Sequence, residues 1–82
     1  MGKVKTYVFQ VDLEQDEEGW RAFYLPLEDI GASTWGYTKE EALKNIQEVL
    51  LMIVEEFAEE GQPIPFTERM TVSEAHLVAI NV

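Results

Sequence analysis

The chain has 82 residues, 46% of them hydrophobic, with 16 acidic against 6 basic side chains and a net charge of −10. That size suits one small domain over residues 1–82 with enough apolar content for a core, and the absence of Cys excludes a disulfide framework, a thiolate nucleophile and a sulfur-ligated metal. The acid excess argues against binding a phosphate backbone, which needs Lys and Arg to displace counterions, and suits a basic partner.

A core this small, with neither staple nor metal, commonly gains burial by self-association, so a homo-oligomer, dimer or tetramer, is expected. No apolar run approaches the ~20 residues that cross a bilayer, and no basic-then-apolar leader opens the chain. Met1-Gly2-Lys3-Val4-Lys5-Thr6 fits a loose myristoylation pattern but reads better as the start of a strand. No membrane association and a cytoplasmic location are expected.

Val4 to Leu13 alternates, with Tyr7, Phe9, Val11 and Leu13 on one face, the pattern of a half-buried strand. Glu14-Gln15-Asp16-Glu17-Glu18-Gly19 is a polar turn closed by glycine. Its acids lack the glycine and glutamate spacing of a calcium loop. Trp20 to Leu27 predicts a second strand, with Phe23 and Leu25 toward the core and Trp20, Ala22 and Tyr24 away from it. Pro26 belongs at a strand end or bulge because it cannot donate to a ladder. Glu28 to Gly31 is a turn, and Ala32 to Trp35 a short third strand with Ser33 and Trp35 outward.

Thr38 followed by Glu41 is a capping box: the hydroxyl accepts from the Glu41 amide and the carboxylate reaches back to the Thr38 amide. The helix then runs from about Lys39 to Glu60, roughly 33 Å, with a core stripe of Ala42, Leu43, Ile46, Val49, Leu50, Ile53 and Phe57. Gly61 and Pro63 end it. Leu51, Val54 and Ala58 form a second apolar strip, open to a wrapped core or a subunit contact. Gln62 to Ser73 is a polar connector, and Ala75 to Val82 alternates as a final strand. The expected fold is α+β, β-β-β-α-β, an antiparallel sheet with one long helix on one face.

The order Tyr7-Val8-Phe9, the acidic turn to Gly19, Pro26 before Gly31, Gly36-Tyr37-Thr38-Lys39-Glu40-Glu41-Ala42-Leu43 and Gly61-Gln62-Pro63-Ile64-Pro65 resembles the HicB antitoxins, partners of the HicA toxins. The resemblance runs from Tyr7 to Pro65. It implies a partial RNase-H-like sheet that has lost catalysis, and oligomers that silence a small basic HicA-type RNase by covering its RNA-binding surface. Many HicB antitoxins carry a C-terminal DNA-binding domain. Gly61 to Val82 is too short for one plus the closing strand, so a stand-alone domain without operator binding is expected. Ala32 stands where the family often has Cys or a branched residue.

Trp20, Tyr24 and Trp35 are the expected outward aromatic set, since exposed Trp and Tyr anchor interfaces; self-association and toxin contact both fit them. Leu51 and Val54 extend the candidate contact surface. Glu55, Glu56, Glu59 and Glu60 crowd the helix end, where acids oppose the dipole and repel at four-residue spacing. A solvated end and a surface kept for a basic partner both fit that pattern. His76, the sole histidine, has no nucleophile or paired carboxylate beside it in the sequence. The expected function is a non-enzymatic binding module without cofactor, metal or catalytic residue. A HicB-like structural or regulatory adaptor that self-associates with no toxin is the alternative. A nuclease would require acids such as Asp12 to converge on a divalent ion.

Overall fold

A computed structural model describes residues 6–65 and 76–81. Val4, Lys5, the latter part of the expected connector, Ala75 and Val82 lie outside the described residues. In chain order the elements are β1 (Thr6–Gln15), β2 (Trp20–Phe23), a 3-10 helix (Leu25–Ile30), β3 (Ser33–Gly36), α1 (Lys39–Glu60) and β4 (His76–Asn81). The strands form one antiparallel sheet in the order β3-β2-β1-β4. The α1 helix covers a single face of it, as the alternation and the helical stripe together predict.

The β1–β2 hairpin turns at Asp16–Gly19, where the Asp16 amide donates to the Gly19 carbonyl at 2.9 Å. The Asp16 carboxylate accepts from the amides of Glu18 at 3.0 Å and Gly19 at 2.9 Å. This side-chain mimic of a turn sets the register, with Gln15 opposite Trp20 and Leu13 opposite Ala22. Gly19 must lack a side chain, because a Cβ there would lie 2.4 Å from the Gly36 carbonyl oxygen and 2.6 Å from the Trp35 ring.

Residues opposite one another in a ladder share a face, so Ala22 joins Leu13 beneath the helix. The sequence-based assignment for the second strand is therefore reversed. Ala22 and Tyr24 are buried, whereas Leu25 is 64% exposed. The strand also ends sooner than expected, at Phe23. Pro26, with no N–H and a fixed φ, enters the 3-10 helix in its first turn. Gly31 closes that helix at φ 105°, its amide donating to the Glu28 carbonyl at 3.1 Å.

Thr38 caps α1 as predicted, its hydroxyl accepting from the Glu41 amide at 3.0 Å. The reciprocal bond is displaced by one residue: the Glu41 carboxylate accepts from Tyr37 at 2.9 Å. At the other end Gly61, at φ 68°, and Gln62 return amides to Ala58 and Phe57, a Schellman-type stop. The buried row of α1 is Ala42, Ile46, Leu50 and Val54 at four-residue steps. Leu43, Val49, Ile53 and Phe57 flank it as half-buried partners of the core. Val54, counted with the candidate contact residues in a strip that fits either a wrapped core or a subunit contact, is fully buried and belongs to the core. The same row continues into Phe9 and Val11 of β1, Val78 and Ile80 of β4, and Ala22, Leu27 and Ala32.

The first turn of α1 sits directly on β3. A Cβ on Gly36 would lie 2.5 Å from the Ala42 amide nitrogen, so this glycine permits the approach. Thr38→Ala is expected to lower stability by about 1 kcal/mol through the lost cap, and Gly36→Ala by ~1–3 kcal/mol through overpacking. Urea midpoints with an unchanged denaturant slope check both.

Candidate protein-binding face

The face of the sheet opposite α1 carries Val8, Gln10, Asp12 and Glu14 of β1, Arg21 and Phe23 of β2, Ser33 and Trp35 of β3, and Leu77 and Ala79 of β4. No described element packs over it. Arg21 is held between two carboxylates, accepting partners being Glu14 at 2.7 Å and Glu28. Its guanidinium also lies 4.1 Å from the centre of the Phe23 ring, a cation–π contact. Ionic pairing therefore cancels this cation, and Asp12 with the surplus carboxylate leaves the face acidic.

Trp35 anchors the end of this face near the hairpin turn. Its indole N–H donates to Asp16 Oδ2 at 2.9 Å, and its ring meets Tyr37 edge-on at 4.6 Å. The Glu18 amide holds the Asp16 carboxyl below its ordinary pKa; partial desolvation works against this, and the Gly19 amide and Trp35 indole reinforce it. Glu17 and Glu18 stand beside the same ring, so an aromatic plane is bordered by acids.

The predicted site residues are dispersed by the fold. Trp35 lies on the open face, as expected. Trp20 is on the helix side, half-buried against the core, with the Lys39 ammonium 4.7 Å above its ring. Tyr24 is the plainest correction: it is 3% exposed and meets Phe9 edge-on at 4.9 Å. Its hydroxyl donates to the Pro65 carbonyl at 2.6 Å, tying the segment after α1 to the core. Leu51 is 37% exposed, beside β4. Glu55, Glu56, Glu59 and Glu60 are exposed on the outer end of α1, remote in sequence from the open-face residues. Val54 is core.

Arg21, Phe23, Asp12 and Glu14 were not among the expected contact residues. Arg21 carried the overlooked signal. A mid-strand arginine does not face an apolar core unpaired, and strand alternation puts Phe23 on the same side.

Among the described residues no group of three or more His, Cys, Asp or Glu side chains is placed to hold a metal ion. No helix there is long and apolar enough to cross a membrane.

The architecture is that of an α+β domain with a four-stranded antiparallel sheet and one covering helix. It is similar to the N-terminal domain of the antitoxin HicB from Burkholderia pseudomallei, with a TM-score of 0.59 and 23% identity. The match covers 95% of this chain and 98% of that one. At this identity the likeness establishes the fold, in agreement with the resemblance read from the sequence. No protein-family model matches the chain, and no curated protein does.

Two outcomes follow from the geometry. Tyr24→Ala is expected to destabilise the chain by about 3–5 kcal/mol, as for a core aromatic, where an outward residue would change it by about 0.5 or less; thermal and urea unfolding distinguish these. For Asp16 the lowered pKa means the unfolded chain takes up the proton first, so its stabilisation is present above the ordinary carboxylate value of about 3.9 and is lost on further acidification. Asp16→Asn is expected to lower stability at neutral pH and to shallow the acid-side decline. Urea midpoints at neutral and strongly acidic pH check the sign.

Proposed function

We propose that this chain is a non-catalytic binding module that neutralises a small basic RNase of the HicA type by covering its RNA-binding surface. The observation that carries this reading is a sheet with one covered face and one open face bearing Phe23, Trp35 and Leu77 among Asp12, Glu14 and Glu28. Apolar side chains set among an excess of carboxylates give a basic partner both burial and charge complementarity. The net charge of −10 steers such a partner toward the module. The fold shared with an antitoxin's N-terminal domain supports the same assignment. Trp35 anchors the β3 end of the face, opposite Arg21, and Phe23 and Asp12 stand opposite one another further along it.

Neutralisation in this reading is competitive. The module presents carboxylates where RNA would present phosphates, so one partner surface cannot hold both. No bond is made or broken, and no cofactor is used.

The test is binding and inhibition with a basic HicA-type RNase. The intact chain should suppress its RNA cleavage at stoichiometric ratio, with affinity falling as salt rises. Trp35→Ala with Phe23→Ala should weaken binding about 100-fold, the scale of two interface anchors, with far-UV circular dichroism unchanged. No complex at low salt would remove the toxin reading, leaving the self-associating adaptor. Tight binding untouched by these substitutions would move the contact to another face.

A further inference from the structure

The open face carries one charge of the wrong sign for a basic partner. Among its described strand residues Arg21 is the one cation, and it stands in the middle of the cross-strand row Glu14–Arg21–Trp35. A like charge at that place opposes a basic surface unless it is paired or moves away. Arg21 Nη1 donates to Glu14 at 2.7 Å and Nη2 donates to Glu28, while the guanidinium carbon lies 4.1 Å from the centre of the Phe23 ring. The groups that this one side chain engages are thus Glu14, Glu28 and Phe23, the same groups that the proposed contact offers to a partner.

These three groups come from separate elements. Glu14 lies opposite Arg21 on β1, Glu28 belongs to the 3-10 helix, and Phe23 follows two residues along β2 on the same face. One carboxylate meets each amino group of a planar fork, and the ring lies against the fork's face. A guanidinium matches that arrangement, whereas an ammonium is a compact point charge that neither bridges the two carboxylates nor stacks. Side-chain exposures of 37% for Arg21, 61% for Glu14 and 33% for Glu28 leave the pairs in contact with water. Ion pairs so exposed are weak and separate readily.

We propose that Arg21 is an internal competitor: in the free chain it occupies a guanidinium seat formed by Glu14, Glu28 and Phe23, and an arginine of the basic partner takes that seat on binding. Arg21 then turns out to solvent, so no like charge is left beneath the partner's arginine. This rests on the partner-binding reading of the open face and adds the side chain it selects and the contact that restrains it. A site that is open only part of the time binds more weakly in proportion, so an occupancy by Arg21 of roughly nine tenths lowers affinity about tenfold. A surface rich in lysine but without a placed arginine gains nothing from the seat, which separates the fitting partner from basic proteins in general.

The test is calorimetric titration of the full chain with end-capped triarginine and trilysine peptides at low salt, which needs no toxin. Arg21→Gln, with its fold verified by circular dichroism, should bind triarginine at least about tenfold more tightly than the natural chain does, and trilysine should gain less than about threefold. Lys44→Gln removes the same unit of charge from an exposed position of α1 and should change triarginine affinity less than about threefold, which separates the seat from net charge. Adding Glu28→Gln to Arg21→Gln should abolish the gain. Where Arg21→Gln fails to fold, 15N NMR of the natural chain decides: the Arg21 side-chain signals should move to those of a free arginine in excess triarginine. Equal triarginine affinity with and without Arg21, equal gains for the two peptides, a matching gain from Lys44→Gln, a gain that survives Glu28→Gln, or Arg21 signals that stay in place each overturn the proposal. With a basic HicA-type RNase, Arg21→Gln should inhibit at a lower concentration than the natural chain. An RNase held equally by both chains removes the competitor and keeps the toxin reading; an RNase held by neither, with the peptide pattern intact, removes the toxin reading and keeps the seat.

Discussion

The closest constraint in this molecule is the seat of α1 on β3. Gly36 leaves the space that the Ala42 backbone occupies, and Thr38 supplies the hydroxyl that starts the helix two residues later. Once that first turn is seated, the direction of α1 over the sheet is set. Ala42, Ile46, Leu50 and Val54 then follow one another down the row that faces Phe9, Val11, Val78 and Ile80. A larger residue at 36 would lift the start of the helix and open the row along its length, because packed interiors do not absorb volume changes cheaply.

One helix covers one face, and the consequence is a sheet with two different surfaces. Beneath the helix the side chains are apolar and interlocked. On the other side Arg21 is neutralised by Glu14 and Glu28, Phe23 lies under its guanidinium, and Trp35 is fastened to the hairpin turn by Asp16. These contacts hold the open-face side chains in place before any partner arrives. Side chains already held in place lose less entropy on binding.

The hairpin turn joins these features. Asp16 closes the turn with its carboxylate, fixes the β1–β2 register and holds the Trp35 indole. Tyr24 plays a comparable part on the buried side, packing on Phe9 and holding the Pro65 carbonyl. Two residues with the composition of a binding surface thus differ in role. The Asp16 turn supports the open face from its margin, and Tyr24 supports the core.

The order of the four strands and the long helix, the capping of α1 by Thr38, its termination at Gly61 and the alternation of β1 were legible in the sequence, because each depends on residues within a few positions of one another, whereas the 3-10 helix at Leu25–Ile30 was read as strand and turn. The composition likewise carried the acid excess. Which face of β2 meets the helix was not legible from its rings: Trp20, Phe23 and Tyr24 occupy both sides of the strand, and an aromatic ring suits either a core or an interface. Pairing Leu13 with Ala22 resolved it, and that pairing arises only when the turn at Asp16–Gly19 closes. Val54 was ambiguous for a related reason. A helix whose apolar residues spread beyond one stripe leaves the buried row undetermined until a sheet of definite twist lies against it. Local chemistry therefore specified the elements and their ends, whereas long-range register and helix seating chose the faces, since only contacts between distant segments distinguish one side of an amphipathic element from the other.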